Sequence, residues 1–177
     1  LSTGGDKTVD LGTDAAVGNT IVVVGLSDAV TNQISSIADT AGTTYTLRKR
    51  QQASNGHMEI WSGVAAAASA GRNIVCTMTA TGEISDSRLT AYEFSGAAST
   101  GILSNGTNNS ATTSHTSGSV SPTTTSNLVI IASYGANRTW TFDTNPTFTL
   151  AVSTGTAGDL VRQIGYAIRS KIGRAHV

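Results

Sequence analysis

The chain returns again and again to aliphatic runs of strand length, such as "TIVVVGL" at 20–26 and "NLVIIASY" at 127–134, each closed by Gly, Ser, Thr, Asn or Asp. Runs this short and this rich in β-branched residues, bounded by turn formers, read as strands rather than helices. Ten such segments stand out: "KTVDL", "NTIVVVGLS", "ISSIAD", "TYTLRKR", "HMEIWSG", "NIVCTMTA", "RLTAYEFSG", "NLVIIASYG", "TFTLAVS" and "LVRQIGYAI". Ten strands exceed the comfortable width of one twisted sheet. Two packed sheets, about 10 Å apart, bury the inward residues of both. The expected fold class is all-β, a two-sheet antiparallel β-sandwich of about ten strands.

Composition supports that reading. The 177 residues are 38% hydrophobic, enough for one core, and a single domain over residues 1–170 is expected. Ser and Thr fill 49 positions and Gly 19, against 2 Pro, a balance suited to Thr-rich strands joined by many turns. Charged residues make up 12%, with 11 basic and 11 acidic side chains, so no net field steers a polyanion and nucleic acid is not an expected partner. No run approaches the roughly 20 apolar residues of a membrane helix, so membrane insertion is not expected either. No signal peptide is visible after Leu1. Cys76 is the single cysteine, which excludes an intrachain disulfide; alternation in "NIVCTMTA" places it on one face with Ile74 and Met78, as a small buried apolar residue.

Two segments resist a pure strand reading. In "SDAVTNQISSIAD", Val30, Ile34 and Ile37 have helical spacing and Ser27 is a possible cap, so a short helix competes with a strand. The Ala-rich "VAAAASAG" is too short for a stable helix and is read as a connection. The polar stretch from Ile102 to Thr125 is expected to hold one exposed edge strand around "TSHTSGSV". In "DTAGTTY", Asp39 and Gly42 stand where an Asx-type turn wants an acceptor and a residue tolerant of positive φ. "SAGRN" suggests a tight hairpin with Gly71 at the positive-φ position.

The succession "GNTIVVVG", "SSIADTAGTTYTL", "EIWSGVAAAASAGRNIVCTM", "LTAYEFSGA" and "TTTSNLVIIASYG", from about Gly18 to Gly135, resembles a β-sandwich module of bacterial secreted multidomain proteins and phage-like structural proteins. Thr43 stands where the module usually has Asn, and Asn127 where it has Asp. The resemblance implies a jelly-roll-like or immunoglobulin-like, non-catalytic module at an extracellular, cell-surface or virion location. It implies assembly or attachment as the role, with other copies or domains of a surface assembly, or glycan, as partners. It carries no catalytic residue over.

Candidate ligand residues come from two places. His57, Glu59 and Trp61 alternate along "HMEIW" and share one face; with Met58 and Ile60 in the core they would form an exposed row, and in the other reading Trp61 is a core aromatic while His57 and Glu59 lie at solvated strand ends. Trp140 and Phe142 in "NRTWTFD" lie near a loop edge, and Trp140 is the best single candidate for stacking on a sugar. A carbohydrate-binding module is therefore the alternative function. Glu93 has two registers: Tyr92 and Phe94 inside, or Leu89, Ala91 and Glu93 inside, with backbone amides or Arg88 satisfying the carboxylate. "RKR", 48–50, reads as a solvated edge. His57 and His115 are the only histidines outside the tail, and no metal-ligand spacing, calcium loop, nucleophile elbow or phosphate loop is present, so no catalytic residue, metal or cofactor is expected.

"SKIGRAHV", 170–177, departs from its surroundings. Ile-Gly-Arg-Ala-His-Val is the translation of ATC GGA AGA GCA CAC GTC, which resembles the start of a sequencing adapter. Residues 171–177 are therefore expected to be a non-native tail on a gene fragment. The sandwich is then expected to lack a final strand, leaving a bare edge or exposed apolar residues beside "LVRQIGYAIRS".

Overall fold

The computed structural model describes residues 6–12, 15–27, 31, 33–53, 56–68, 72–79, 87–97, 127–136, 149–154 and 160–169. Among them lie ten strands and no helix: β1 Lys7–Asp10, β2 Thr20–Ser27, β3 Ile34–Asp39, β4 Thr46–Ala53, β5 Gly56–Val64, β6 Asn73–Met78, β7 Ser87–Phe94, β8 Asn127–Ala136, β9 Thr149–Thr154 and β10 Leu160–Arg169. All ten segments read as strands form strands, and all their pairing is antiparallel. The chain divides into two compact units, Leu1–Gly101 and Ile102–Val177.

The first unit is a sandwich of a three-stranded sheet, in the order β1-β6-β3, and a four-stranded sheet, in the order β4-β5-β2-β7. Alternation puts Ile21 and Val23 of β2 and Trp61 of β5 inward from one sheet, and Ile34, Ile74 and Cys76 inward from the other. Leu89 and Ala91 of β7 pack against this cluster, which settles the register of Glu93 in favour of the inward one. Burying each large aliphatic side chain contributes about 1.5–3 kcal/mol. β2 is the middle of its sheet and is buried along its whole length.

Two bulges decide which side chains reach the interior. The β3–β6 ladder shifts between Ile34 and Ser36, and the β4–β5 ladder between Leu47 and Lys49. One extra residue on a strand lets positions three apart face the same side. Ile34 and Ile37 thus both turn inward, and so do Leu47 and Arg50. The helical spacing around Ile34 and Ile37 is this bulge: the segment 34–39 is a strand, and no helix forms there. The Ala-rich segment ends β5 at Val64, and its described part, 65–68, is a connection.

Close packing at β3 and at the chain that follows it requires two glycines. A Cβ on Gly25 would lie 2.6 Å from Ile34 Cδ1, and one on Gly63 would lie 2.6 Å from the Thr44 carbonyl oxygen. The β3–β4 turn is the Asx turn read from the sequence: the Ala41 and Thr43 amides donate to Asp39 Oδ1 at 3.0 and 2.9 Å, and Gly42 has φ of 74°.

Among the described residues the second unit holds a three-stranded sheet in the order β8-β10-β9. β10 pairs with β8 from Leu160–Ala136 to Arg169–Asn127 and with β9 on its other side, with a bulge at Ile164–Gly165. The bare edge expected beside residues 160–170 is therefore not there: β10 is the middle strand, and both of its backbone edges are paired. The expected edge strand at 113–120, the Gly71 hairpin and the tail 171–177 lie outside the described residues.

The glycine contacts generate a test. Gly63→Ala meets backbone and is expected to destabilise the chain by about 1–3 kcal/mol in urea unfolding. Gly25→Ala meets a side-chain methyl, so Ile34→Val, which removes that methyl, is expected to recover part of its cost. A purely additive double variant would contradict the contact.

Candidate functional site

β5 presents His57, Glu59 and Trp61 on one face, as the sequence suggests, but that face is the interior of the first sandwich. Their exposures are 1%, 0% and 8%. Trp61 is thus the core aromatic of the second reading, but His57 and Glu59 are buried beside it, neither in an exposed row nor at solvated strand ends. The reason lies in the partners: β2 places Ile21, Val23 and Gly25 on the same inward face, paired with Gly63, Trp61 and Glu59.

A carboxylate at zero exposure demands donors, and Glu59 has four. Oε1 accepts from Arg50 Nε at 3.0 Å, from His57 Nε2 at 3.1 Å and from the Ile34 amide at 3.1 Å; Oε2 accepts from Trp61 Nε1 at 2.7 Å. Burial alone would raise its pKa, but the His57, Arg50, Trp61 and Ile34 donors outweigh that and hold the carboxyl below its ordinary range. Arg50 also donates from Nη2 to the Ile34 carbonyl at 3.1 Å. One cluster on the four-stranded sheet thus grips both backbone polar groups of the first residue of β3, on the opposite sheet.

A second cluster closes the other end of β3. Arg72, immediately before β6, is fully buried and donates from Nη1 to Asp39 Oδ2 at 2.7 Å and to Thr43 Oγ at 2.8 Å; Nη2 donates to the Ala67 carbonyl. Its Nε has no acceptor, a cost the rest of the cluster must offset. The Tyr45 hydroxyl donates to Asp39 Oδ2 at 2.9 Å. Burial works to raise the Asp39 pKa, yet the Thr43, Tyr45 and Arg72 donors bring it down to about 2. Burial and the hydrogen bond to Asp39 push the Tyr45 phenol well above its usual range.

Glu93 holds a third junction. Its Oε1 accepts from the Ala16 amide at 2.9 Å and from Asn19 Nδ2, fixing the turn that leads into β2. The donors are thus a backbone amide and an asparagine. The Cys76 thiol is pushed up to about 12 by burial and by the negative charges of Glu59 and Asp6, which suppresses its thiolate.

A narrow crevice lies between the sheets at the His57 end, lined by Lys7, Gly25, Ile34, His57 and Met78 among others, and it has no room for a water molecule. Among the described residues no group of three or more His, Cys, Asp or Glu is placed to hold a metal ion, and no helix is long and apolar enough to cross a membrane. Trp140 and Phe142 lie outside the described residues.

Sequence reasoning placed Glu59, His57 and Trp61 together and Asp39 in its turn, but it missed Arg50 and Arg72 as their partners. Arg50 was hidden by the β4 bulge. Arg72 had a faint signal, a lone Arg immediately before a strand of apolar alternation. Comparison with protein-family models, with curated proteins and with solved structures yields no match.

Asp39→Asn keeps the side-chain shape and strips Arg72 of its counter-charge, so a loss of about 3–5 kcal/mol is expected in urea unfolding at neutral pH. Because the folded-state pKa is depressed, the stabilisation is present above the ordinary value of 3.8 and is lost as pH falls through about 2. The gap between wild type and Asp39→Asn is therefore expected to narrow across that window. A gap independent of pH would contradict the assignment.

Proposed function

We propose that the chain is a non-catalytic structural or adhesive β-sandwich module of an extracellular or virion surface protein, serving assembly or surface attachment. The observation that carries this reading is how the interior polar side chains are used. Glu59 and Asp39, the two buried carboxylates beside the core, have their oxygens taken up by donors from the protein itself. A general base or nucleophile needs a free lone pair within reach of substrate; here those lone pairs hold the two ends of β3. The order of turn-plus-strand motifs from Gly18 to Gly135 supports the same reading, by resemblance. Partners on this view are other copies or domains of a surface assembly.

The test pairs localisation with ligand binding. An antibody raised against the purified chain is expected to detect it in the secreted or particle fraction of the organism that carries the gene. Glycan-array binding by the wild type that Trp140→Ala abolishes would select the carbohydrate-binding reading in its place. A cytosolic monomer that joins no assembly and binds no glycan would overturn both.

A further inference from the structure

We propose that β3 is a strap, which opens as a unit from an otherwise folded first sandwich and is held shut by one side-chain fastening at each end. The inference is independent of the proposed function.

Among the described residues β3 is an edge strand, with β6 as its neighbour in the sheet order. Its ladder is interrupted by the bulge between Ile34 and Ser36, and Ser35, Ser36 and Ala38 face solvent. Inward it contributes Ile34 and Ile37. A short edge strand with two apolar anchors belongs to the low-stability end of a fold, where local opening precedes global unfolding. What opposes opening is concentrated at the ends. At Ile34 the amide is held by Glu59 and the carbonyl by Arg50; at Asp39 the carboxylate is held by Arg72 and Tyr45. Each fastening is cooperative in charge: neutralising the acid leaves an arginine without its counter-charge, so a fastening fails outright rather than by degrees.

Opening has a built-in reporter. Cys76 of β6 pairs with Ile37 of β3, is fully buried, and is the single thiol of the chain. Lifting β3 bares the β6 edge and the thiol beside it, while β2, β5 and β7 keep their pairing.

The experiment is thiol modification of Cys76 in the full chain with an aromatic disulfide reagent at mildly alkaline pH, across a urea series followed in parallel by circular dichroism. At low urea, where the chain is fully folded, the labelling rate is expected to be nearly independent of urea, the mark of a small opening. Asp39→Asn is expected to raise that rate at least about a hundredfold, the scale of a broken buried pair, and Glu59→Gln at least about tenfold, since Arg50 is partly exposed. Glu93→Gln makes the same chemical change at a carboxylate that grips the turn before β2, and is expected to leave the rate unchanged. Should one fastening variant fail to fold, the wild-type urea dependence and the other variant still decide. Labelling that rises with urea as steeply as global unfolding, or that Glu93→Gln accelerates as much as the other two, would overturn the strap.

Discussion

A guanidinium with no exposure to water has to be answered where it lies, and much of the first sandwich follows from how Arg72 is answered. Its ion pair with Asp39 spans the end of one strand and the approach to another, and Thr43 and the Ala67 carbonyl supply further acceptors, leaving Nε alone unanswered. Removing a buried charge from water costs several kcal/mol, recovered only with good geometry. Asp39 therefore has to point inward at the last residue of β3, which fixes the strand's register and the tight turn that follows. The Glu59 cluster imposes the same condition at the first residue. Between these two points the strand has little freedom left.

The two bulges and the two glycines are the geometric means of meeting those conditions. Without the shift at Ile34–Ser36, Ile34 would face away from Ile37 and Asp39, and the strand could not serve the core and both clusters at once. Without the shift at Leu47–Lys49, Arg50 would lie on the outer face beside β5, out of reach of Glu59. Gly25 and Gly63 then let the opposite sheet and the crossing chain approach closer than any side chain permits. The polar interior is thus tied into the backbone path, which is why its members carry structural weight rather than open chemistry.

The strands were legible because their cause is local: β-branched runs bounded by turn formers declare themselves in any window of the chain. The Asx turn at Asp39 and the burial of Cys76 were legible for the same reason. The face of β5 was not, because "HMEIW" alternates equally well in either register, and the choice rests on β2 and on donors that come from β4 and β3. Bulges hide still more thoroughly. One made Ile34 and Ile37 look helical; the other made Arg50 look like part of a solvated basic edge. The pairing of Asp39 with Arg72, 33 positions apart, is a tertiary fact with no local trace. The middle position of β10 could not be read from its own residues either, since strand order belongs to the fold and not to the segment.

The central claim is that buried charge pairs, rather than apolar contact alone, fix the two ends of β3 in the first sandwich. A double-mutant cycle between Asp39→Asn and Arg72→Met, read by urea unfolding at neutral pH, tests it most directly. Each single change leaves the partner charge or its donors buried without an answer, and the double change removes both. A coupling of about 2 kcal/mol or more, with the double variant far more stable than the sum of the singles implies, is the expected result. Additivity to within about 0.5 kcal/mol would contradict the account.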